Sequence, residues 1–589
     1  MCGIAGEIRF DGRPADREAV QKITDYQLPR GPDGKGLFVQ GPVALGHRRL
    51  KIIDLSERAA QPMQDQNLGL TVVFNGCIYN HRELKSELEK LGHVFSSTSD
   101  TEVVLKSYAE WGKHCVERFN GMFALAAYQS GSGSLFIARD RLGIKPFYYQ
   151  LRAGSFRFAS SLPALLAADD GGADLDEAAL HHYLTFHSVV PAPRTIIRSV
   201  RKLPPATRVT ITAHGRTEAE MYWAPSFSRD ADADHDFDVL KERLLEELSG
   251  AVSRRMVADV PVGVLLSGGV DSSLVVGLLS QLGASGLNTF TIGFEDAGGE
   301  AGNEFPYSDL IAEEFATEHH KIQISSTGLV DRLPECFKAM AEPMVSHDNI
   351  AFYLLSEEVS RHVKVVQSGQ GADEIFGGYF WYPPLLESDD VFADYSRAFF
   401  DRDHREMHEV VEPGLLDFDH SADFVRRHFE FAQADEPVDK ALHIDTTVML
   451  VDDPVKRVDN MTMAWGLEAR VPFLDHELVE FAAGIPPELK VGGDGKHILK
   501  EAAREVLPSE VIDRKKGYFP VPELKHLNGA SLAYVKDKLN SQDARERGIF
   551  QRSYLDRLLD EPENHLTPLN GSKLWQVATL ESWLQTHNI

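Results

Sequence analysis

The sequence predicts a chain of two mixed α/β parts, the second built on a doubly wound parallel sheet. Three observations lead there. Val264-Leu265-Leu266 is an apolar run of strand length that stops at Ser267-Gly268-Gly269 and passes into an apolar helical pattern, Leu274-Val275-Val276 with Leu278 and Leu279. Strand-length runs at 289–294, 320–324 and 363–366 then alternate with helical stretches, as in parallel sheets with helical crossovers. Between the two parts, residues 226–236 (SFSRDADADHD) are acidic with almost no apolar content and read as a connection.

Length and composition set the outer bounds. A chain of 589 residues is too long for one ordinary domain. Its net charge of −28 argues against affinity for nucleic acid or an anionic membrane, so an anion site must create positive potential locally. No apolar run is long enough to span a membrane, and the start of the chain does not read as a secretory signal. The four cysteines, Cys2, Cys77, Cys115 and Cys336, show neither metal-site nor disulfide spacing, which fits a reducing cytoplasm.

In chain order, Cys2 comes first. Removal of Met1 would give it a free α-amine beside its thiol, a nucleophile and its own base in one residue. Alone, a Met-Cys start is more simply a chance cysteine at a frayed end. Four stretches change that reading: Arg30-Gly31-Pro32-Asp33-Gly34, a loop; Gly46-His47-Arg48-Arg49-Leu50; Val72-Val73-Phe74-Asn75-Gly76, read as a strand ending in a turn; and Ser99-Asp100-Thr101-Glu102, a helix start with capping-box spacing. Residues 123–128 and 135–138 around Ser130-Gly131-Ser132-Gly133-Ser134 form a hairpin pattern.

Together with Cys2 these stretches resemble the glutaminase domain of class II glutamine amidotransferases, an N-terminal-nucleophile hydrolase with two sheets between helical layers (αββα). The resemblance covers 2–222. It implies that Cys2 attacks the side-chain amide of glutamine and that the Asn75 side chain and Gly76 N–H form the oxyanion hole. It further implies that Arg49 pairs with the glutamine α-carboxylate and Asp100 with its α-ammonium. The family commonly has Asn-Gly-Glu where this chain has Asn75-Gly76-Cys77. A neutral thiol does not replace a carboxylate, so weaker glutamine binding is expected, with Cys77 as a packing residue.

After the connection (223–236), residues 237–256 carry Leu240, Leu244, Leu245, Leu248 and Val252 at helical spacing. The loop Ser267-Gly268-Gly269-Val270-Asp271-Ser272-Ser273 follows its strand. Two glycines let backbone N–H groups converge at a helix N-terminus, an anion site. It lacks the Gly-Lys-Ser/Thr of a P-loop and resembles the SGGxDS loop of enzymes that split ATP into AMP and pyrophosphate. A second strand–turn–helix unit, Ser368-Gly369-Gln370-Gly371-Ala372-Asp373-Glu374, resembles the second ATP loop of asparagine synthetases. The segments Glu468-Ala469-Arg470-Val471-Pro472-Phe473-Leu474-Asp475, Lys496-His497-Ile498-Leu499-Lys500 and Arg514-Lys515-Lys516-Gly517-Tyr518 extend the resemblance over 237–589, an α/β ATP-pyrophosphatase (PP-loop) synthetase domain. It implies ATP contacts from Leu265, Ser267, Gly268, Gly269, Asp271, Ser272, Ile292, Ser368 and Gly369, Mg2+ held by Asp271 and Asp373, and charge neutralisation by Lys496. Arg470 and Asp475 are read as support, and His319-His320 as structural because neighbours on a strand face opposite ways.

Gln370 stands where asparagine synthetases usually have Glu. It is no useful base but can donate a hydrogen bond to an acceptor carboxylate. The SGQGADE form resembles a subgroup that amidates the dipeptide N-acetylglutaminylglutamine to an osmoprotectant amide. The expected reaction is thus glutamine-dependent, ATP-driven amidation of a small carboxylate through an acyl-adenylate, with ammonia crossing between the domains. Aspartate is the alternative acceptor, and a catalytically silent regulatory protein the alternative outside enzymes. Monomer or homodimer stays open.

Overall fold

The computed structural model describes residues 2–169, 173–229, 236–295, 302–325, 328–514 and 521–589. Most of the acidic stretch of the connection, and Lys515, Lys516, Gly517 and Tyr518, lie outside these residues.

The N-terminal half holds two six-stranded sheets. The first is antiparallel around β1 (Cys2–Arg9) and β2 (Val43–Arg49), paired so that Cys2 lies opposite Arg49. The second is antiparallel around β3 (Leu70–Ile78) and β4 (Gly121–Gln129), with Gly76 opposite Phe123. Side chains alternate along each strand and so divide between two cores. Ile4 and Ile8 of β1 meet Val73, Ala124 and Ala126 between the sheets. Ala5 and Ala44 face outward onto Val20 and Ile23 of the helix Arg17–Tyr26. Val72 and Phe74 face outward onto Val103, Val104 and Leu105 of α1 (Asp100–Trp111). Helix, sheet, sheet and helix are therefore stacked in four layers, the αββα arrangement of N-terminal-nucleophile hydrolases.

Two local expectations are corrected. The strand does not turn after Asn75-Gly76; it runs on through Ile78. Gly76 is required there by close approach, since a Cβ would lie 2.2 Å from the Met122 carbonyl oxygen. The Ser99–Glu102 capping box does not close either. Ser99 Oγ accepts from Thr101 N, while Glu102 turns back to accept from the N–H groups of Ser96 and Ser97.

The C-terminal half is organised by five parallel strands: β5 (Val262–Leu265), β6 (Asn288–Phe294), β7 (Glu318–Ile324), β8 (Val365–Gln367) and β9 (Glu468–Arg470). Their spatial order is β7-β6-β5-β8-β9. Both faces are covered, as parallel sheets require. Val264 and Val365 face Leu244 and Leu248 of the helix Phe237–Arg254 and Val275 of α2 (Val270–Gln281). Leu265, Phe290 and Val366 face Ile350 and Leu355 of the helix Asp348–Val359 and Met461 of the helix Lys456–Met463. The chain runs outward from β5 to β6 and β7, then returns to place β8 on the other side of β5. That reversal opens a crevice at the carboxyl ends of β5 and β8, where ligands of such sheets bind.

The halves are joined by buried charge. Asp459 accepts from Arg30 Nη1 at 2.8 Å and from Lys145 Nζ at 3.2 Å. Lys202 lies 2.7 Å from Asp452 and 3.0 Å from Glu342. Removing one partner of such a buried pair typically costs about 3–5 kcal/mol, because the other charge stays buried and unpaired. The helix Lys573–Thr586 is buried nearly throughout, its Trp575 and Trp583 indoles donating to the Val345 and Met340 carbonyls. None of the described helices is long and apolar enough to cross a membrane.

Candidate active sites

A pocket in the amidotransferase half is lined by Cys2, Arg49, Gly76, Cys77 and Asp100. Sheet pairing sets this up: Cys2 begins β1, Arg49 ends β2 opposite it, and Gly76 and Cys77 sit on β3 of the facing sheet. Burial pushes the Cys2 thiol above its ordinary pKa; the N-terminal ammonium, the Leu50 N–H and Arg49 oppose that rise. Cys2 N donates to Asn75 Oδ1 at 2.9 Å. This fixes the Asn75 amide and leaves its Nδ2 buried with no acceptor among the described residues. The N–H groups of Phe74, Gly76 and Ile78 point to one edge of β3 because the direction alternates along a strand. Gln61 Oε1 takes the first at 2.7 Å and Asp100 Oδ2 the last at 3.2 Å, so the Gly76 N–H between them faces the pocket. The Asn75 amide is thus tied to the Cys2 backbone, and Gly76 lines the pocket together with Cys2.

Arg49 is buried and forms no ion pair with a described residue. Its Nη1 donates to the Ser56 carbonyl at 2.8 Å and its Nη2 to the Asp54 carbonyl. The loop supplying them is held by Asp54, which accepts from Ser56 N and Thr98 N. Asp100 is buried at the first position of α1, and burial raises its pKa. A guanidinium and a carboxylate, neither in an ion pair with a described residue, line one small cavity. That suits a zwitterion.

Two pocket residues come from the other half. Glu468 and Arg470, at the ends of β9, line the same cavity. Arg470 Nε donates to Glu468 Oε1 at 2.6 Å, and its Nη1 to the carbonyls of Arg255 and Val257. Burial disfavours the Glu468 carboxylate, but the N-terminal ammonium and Arg470 outweigh it and hold the pKa at about 2. Sequence reasoning gave Arg470 only a supporting role and Glu468 none; spacing along the chain carries no sign of a pocket more than 360 positions away.

The second site lies in the crevice of the parallel sheet. The loop after β5 turns at Gly268, whose φ is +72° and whose absent Cβ would lie 2.7 Å from Ser308 N. Ser267 and Ser272 bind each other across it: Ser267 N donates to Ser272 Oγ at 3.1 Å. Asp271 sits in the first turn of α2. The loop after β8 carries Ser368, Gly369, Gln370 and Gly371 into the short helix Ala372–Phe376, with Asp373 in its first turn. The two loops touch, since a Cβ at Gly369 would meet Ser272 N at 2.9 Å. Leu265 and Ile292 end or line the neighbouring strands β5 and β6.

Lys496 joins the loops. Its Nζ lies 2.7 Å from Asp271 Oδ2 and 2.8 Å from Asp373 Oδ1. Burial disfavours the ammonium, but the two carboxylates outweigh it and raise the pKa. Lys496 has φ +54° between Gly495 and the helix His497–Ala503, a conformation uncommon for lysine and held here by the two acids. Glu374 is a further buried acid. Desolvation and the Asp373 charge push it to about 7, and Tyr379 Oη donates to it at 2.6 Å. Gln370 is half-buried beside these groups in sequence, and no hydrogen bond fixes its amide among the described residues.

Residues 1–223 match the family model of the glutamine amidotransferase domain, and residues 243–585 match that of asparagine synthase. The chain belongs to the asparagine synthase family. It is 31% identical to asparagine synthetase [glutamine-hydrolyzing] 3 of Bacillus subtilis, over 100% of this chain and 99% of that one. It is 30% identical to asparagine synthetase [glutamine-hydrolyzing] 1 of the same organism, over 99% and 96%. Against asparagine synthetase B [glutamine-hydrolyzing] of Escherichia coli the identity is 28%, over 88% and 82%. As a family member of the asparagine synthetase B type, this chain is a glutamine-hydrolysing ligase that uses glutamine and ATP to amidate an acceptor.

Proposed function

We propose that the acceptor is a small carboxylate of dipeptide type, N-acetylglutaminylglutamine, and that its amide is the product. The supporting observation is the second ATP loop, where Gln370 puts a neutral donor in a place that otherwise repels an acceptor carboxylate. The product of such a reaction is a neutral amide suited to osmoprotection.

The residues divide the work as follows. Cys2, with Met1 removed, attacks the glutamine side-chain carbonyl; Asn75 Nδ2 and Gly76 N–H receive the oxyanion. Arg49 holds the α-carboxylate and Asp100 the α-ammonium. Collapse of the intermediate releases ammonia and leaves a thioester that water hydrolyses. In the second site an oxygen of the acceptor carboxylate attacks the α-phosphorus of ATP and pyrophosphate leaves. Leu265, Ile292, Ser368 and Gly369 hold the adenosine. The loop Ser267-Gly268-Gly269, with Ser272, holds the pyrophosphate. Lys496 neutralises charge on the transferring phosphate. Ammonia then attacks the acyl carbon, and AMP departs with the carbon–oxygen electron pair.

Asp271 and Asp373 bring two carboxylate oxygens to one point now held by the Lys496 ammonium, so a cation fits there, and all-oxygen donors suit Mg2+. Bound with ATP, Mg2+ supplies further neutralisation of phosphate oxygens. The acceptor is tested by AMP and pyrophosphate release with glutamine and Mg-ATP, comparing N-acetylglutaminylglutamine with aspartate. Turnover with the dipeptide alone supports the proposal; turnover with aspartate alone returns the chain to asparagine synthesis.

A further inference from the structure

Away from both sites, histidines gather where the two halves meet. His181 and His182 lie on the helix Glu177–Thr185 of the amidotransferase half. His404 opens the helix His404–Val410, and Asp419 caps the helix His420–Phe431, both in the synthase half. His181 Nε2 is 3.2 Å from His404 Nδ1 and 3.8 Å from Asp419 Oδ1. The three ligand atoms lie within 4.8 Å of one another.

We propose that His181, His404 and Asp419 form a binding site for a divalent transition metal of the zinc class, strapping the two halves together. Zinc–nitrogen bonds of about 2.0–2.1 Å put neighbouring ligands of a tetrahedral site about 3.3 Å apart, close to the His181–His404 separation. Two imidazoles and one carboxylate suit zinc and its neighbours rather than the oxygen-seeking Mg2+ or Ca2+. The surroundings orient the ligands. His181 Nδ1 lies 3.0 Å from Ser421 Oγ; donation there leaves the Nε2 lone pair facing His404 and Asp419, the outer hydrogen bond that metal-binding histidines usually make. Ser421 Oγ is also 3.0 Å from His182 Nδ1, so one hydroxyl accepts from the first ring and donates to the second. His181 is 1% exposed, whereas His404 and Asp419 are partly exposed, which leaves a way in and an open coordination position for water. Asp419 Oδ1 also accepts from Ala422 N at 3.0 Å, and a carboxylate oxygen has lone pairs for both. The competing account is a plain hydrogen bond in which His404 Nδ1–H donates to His181 Nε2.

The test uses the full-length chain, stripped with a chelator and dialysed against buffered Zn2+. Metal analysis then compares wild type with His404→Ala and Asp419→Asn. Both substitutions are at partly exposed helix starts, and Asn keeps the capping acceptor. The proposal expects about one Zn2+ per wild-type chain and a loss of at least tenfold in affinity in each variant. It also expects Zn2+ to raise the melting temperature of the wild type alone. Co2+ in place of Zn2+ should give visible absorption of a four-coordinate nitrogen–oxygen site, without a thiolate charge-transfer band. Substoichiometric Zn2+ in the wild type, equal retention in both variants, or a thiolate band would overturn it.

Discussion

The Ser368 N–H donates to the Arg470 carbonyl at 2.8 Å. Ser368 opens the second ATP loop, and the Arg470 side chain lines the pocket of Cys2. One hydrogen bond therefore separates the two chemical sites along the backbone. Arg470→Lys keeps the charge but loses the forked donation to the Arg255 and Val257 carbonyls. The expected outcome is uncoupling: glutamine consumed per amide formed rises severalfold. Paired assays of glutamate and amide product measure that ratio, and an unchanged ratio would refute the link.

Cys77 is buried in the glutamine pocket, with Arg470 near enough to lower its pKa against the dominant effect of burial. A carboxylate at this place would meet the substrate α-ammonium with a cation already at hand. Cys77→Glu should lower the glutamine KM severalfold and leave ammonia-dependent synthesis unchanged. Steady-state kinetics with each nitrogen source decide this; a KM that stays or rises rejects the role assigned to position 77.

Much of this is legible in the sequence. The stretch from Val264 to Leu279 reads as strand, tight turn and helix because its apolar spacing changes period at Gly268-Gly269, and the structure places β5, loop and α2 there. The αββα layering followed from the motif set around Cys2. Other features left no local trace. The continuation of β3 past Gly76 depends on close packing against Met122 and Phe123, a tertiary contact that overrides the Asn-Gly turn signal. Glu102 has capping-box spacing, but four hydrogen-bond donors, the N–H and hydroxyl groups of Ser96 and Ser97, hold its carboxylate instead. Glu468 and Arg470 reach the pocket through domain docking. The His181–His404 approach spans 223 positions, beyond any motif window.

Among the described residues, Lys496 is the one cation in an ion pair with both Asp271 and Asp373. Lys496→Met should reduce amide synthesis from either glutamine or ammonia by about 10²-fold or more, the scale of one preorganised electrostatic contact. Glutamine hydrolysis should persist. Equal loss of hydrolysis and synthesis would instead mark Lys496 as a general support of the fold.

Asp475 gives a prediction for acid stability. It is fully buried, caps the helix His476–Gly484 and pairs with Arg255 at 2.8 Å and Arg254 at 3.0 Å. Burial works against its charge, but the two guanidinium groups hold its pKa at about 2. Its folded pKa is below its unfolded value near 3.9, so its stabilisation is complete above about pH 4 and disappears as pH falls toward 2. Asp475→Asn should cost about 2 kcal/mol at pH 7, and the gap to wild type should narrow between pH 4 and 2. Denaturant melts across that range test it; a gap independent of pH would show that the charge is not what stabilises.

The most direct test follows the nitrogen. Glutamine labelled with 15N in its side-chain amide is supplied with Mg-ATP and N-acetylglutaminylglutamine in excess unlabelled ammonium, and products are read by mass spectrometry alongside AMP. The account predicts a 15N-labelled amide formed one for one with AMP, and no glutamine-derived label in the product of Cys2→Ala. Release of all the 15N as free ammonium, with no AMP formed with the dipeptide or aspartate, would contradict it.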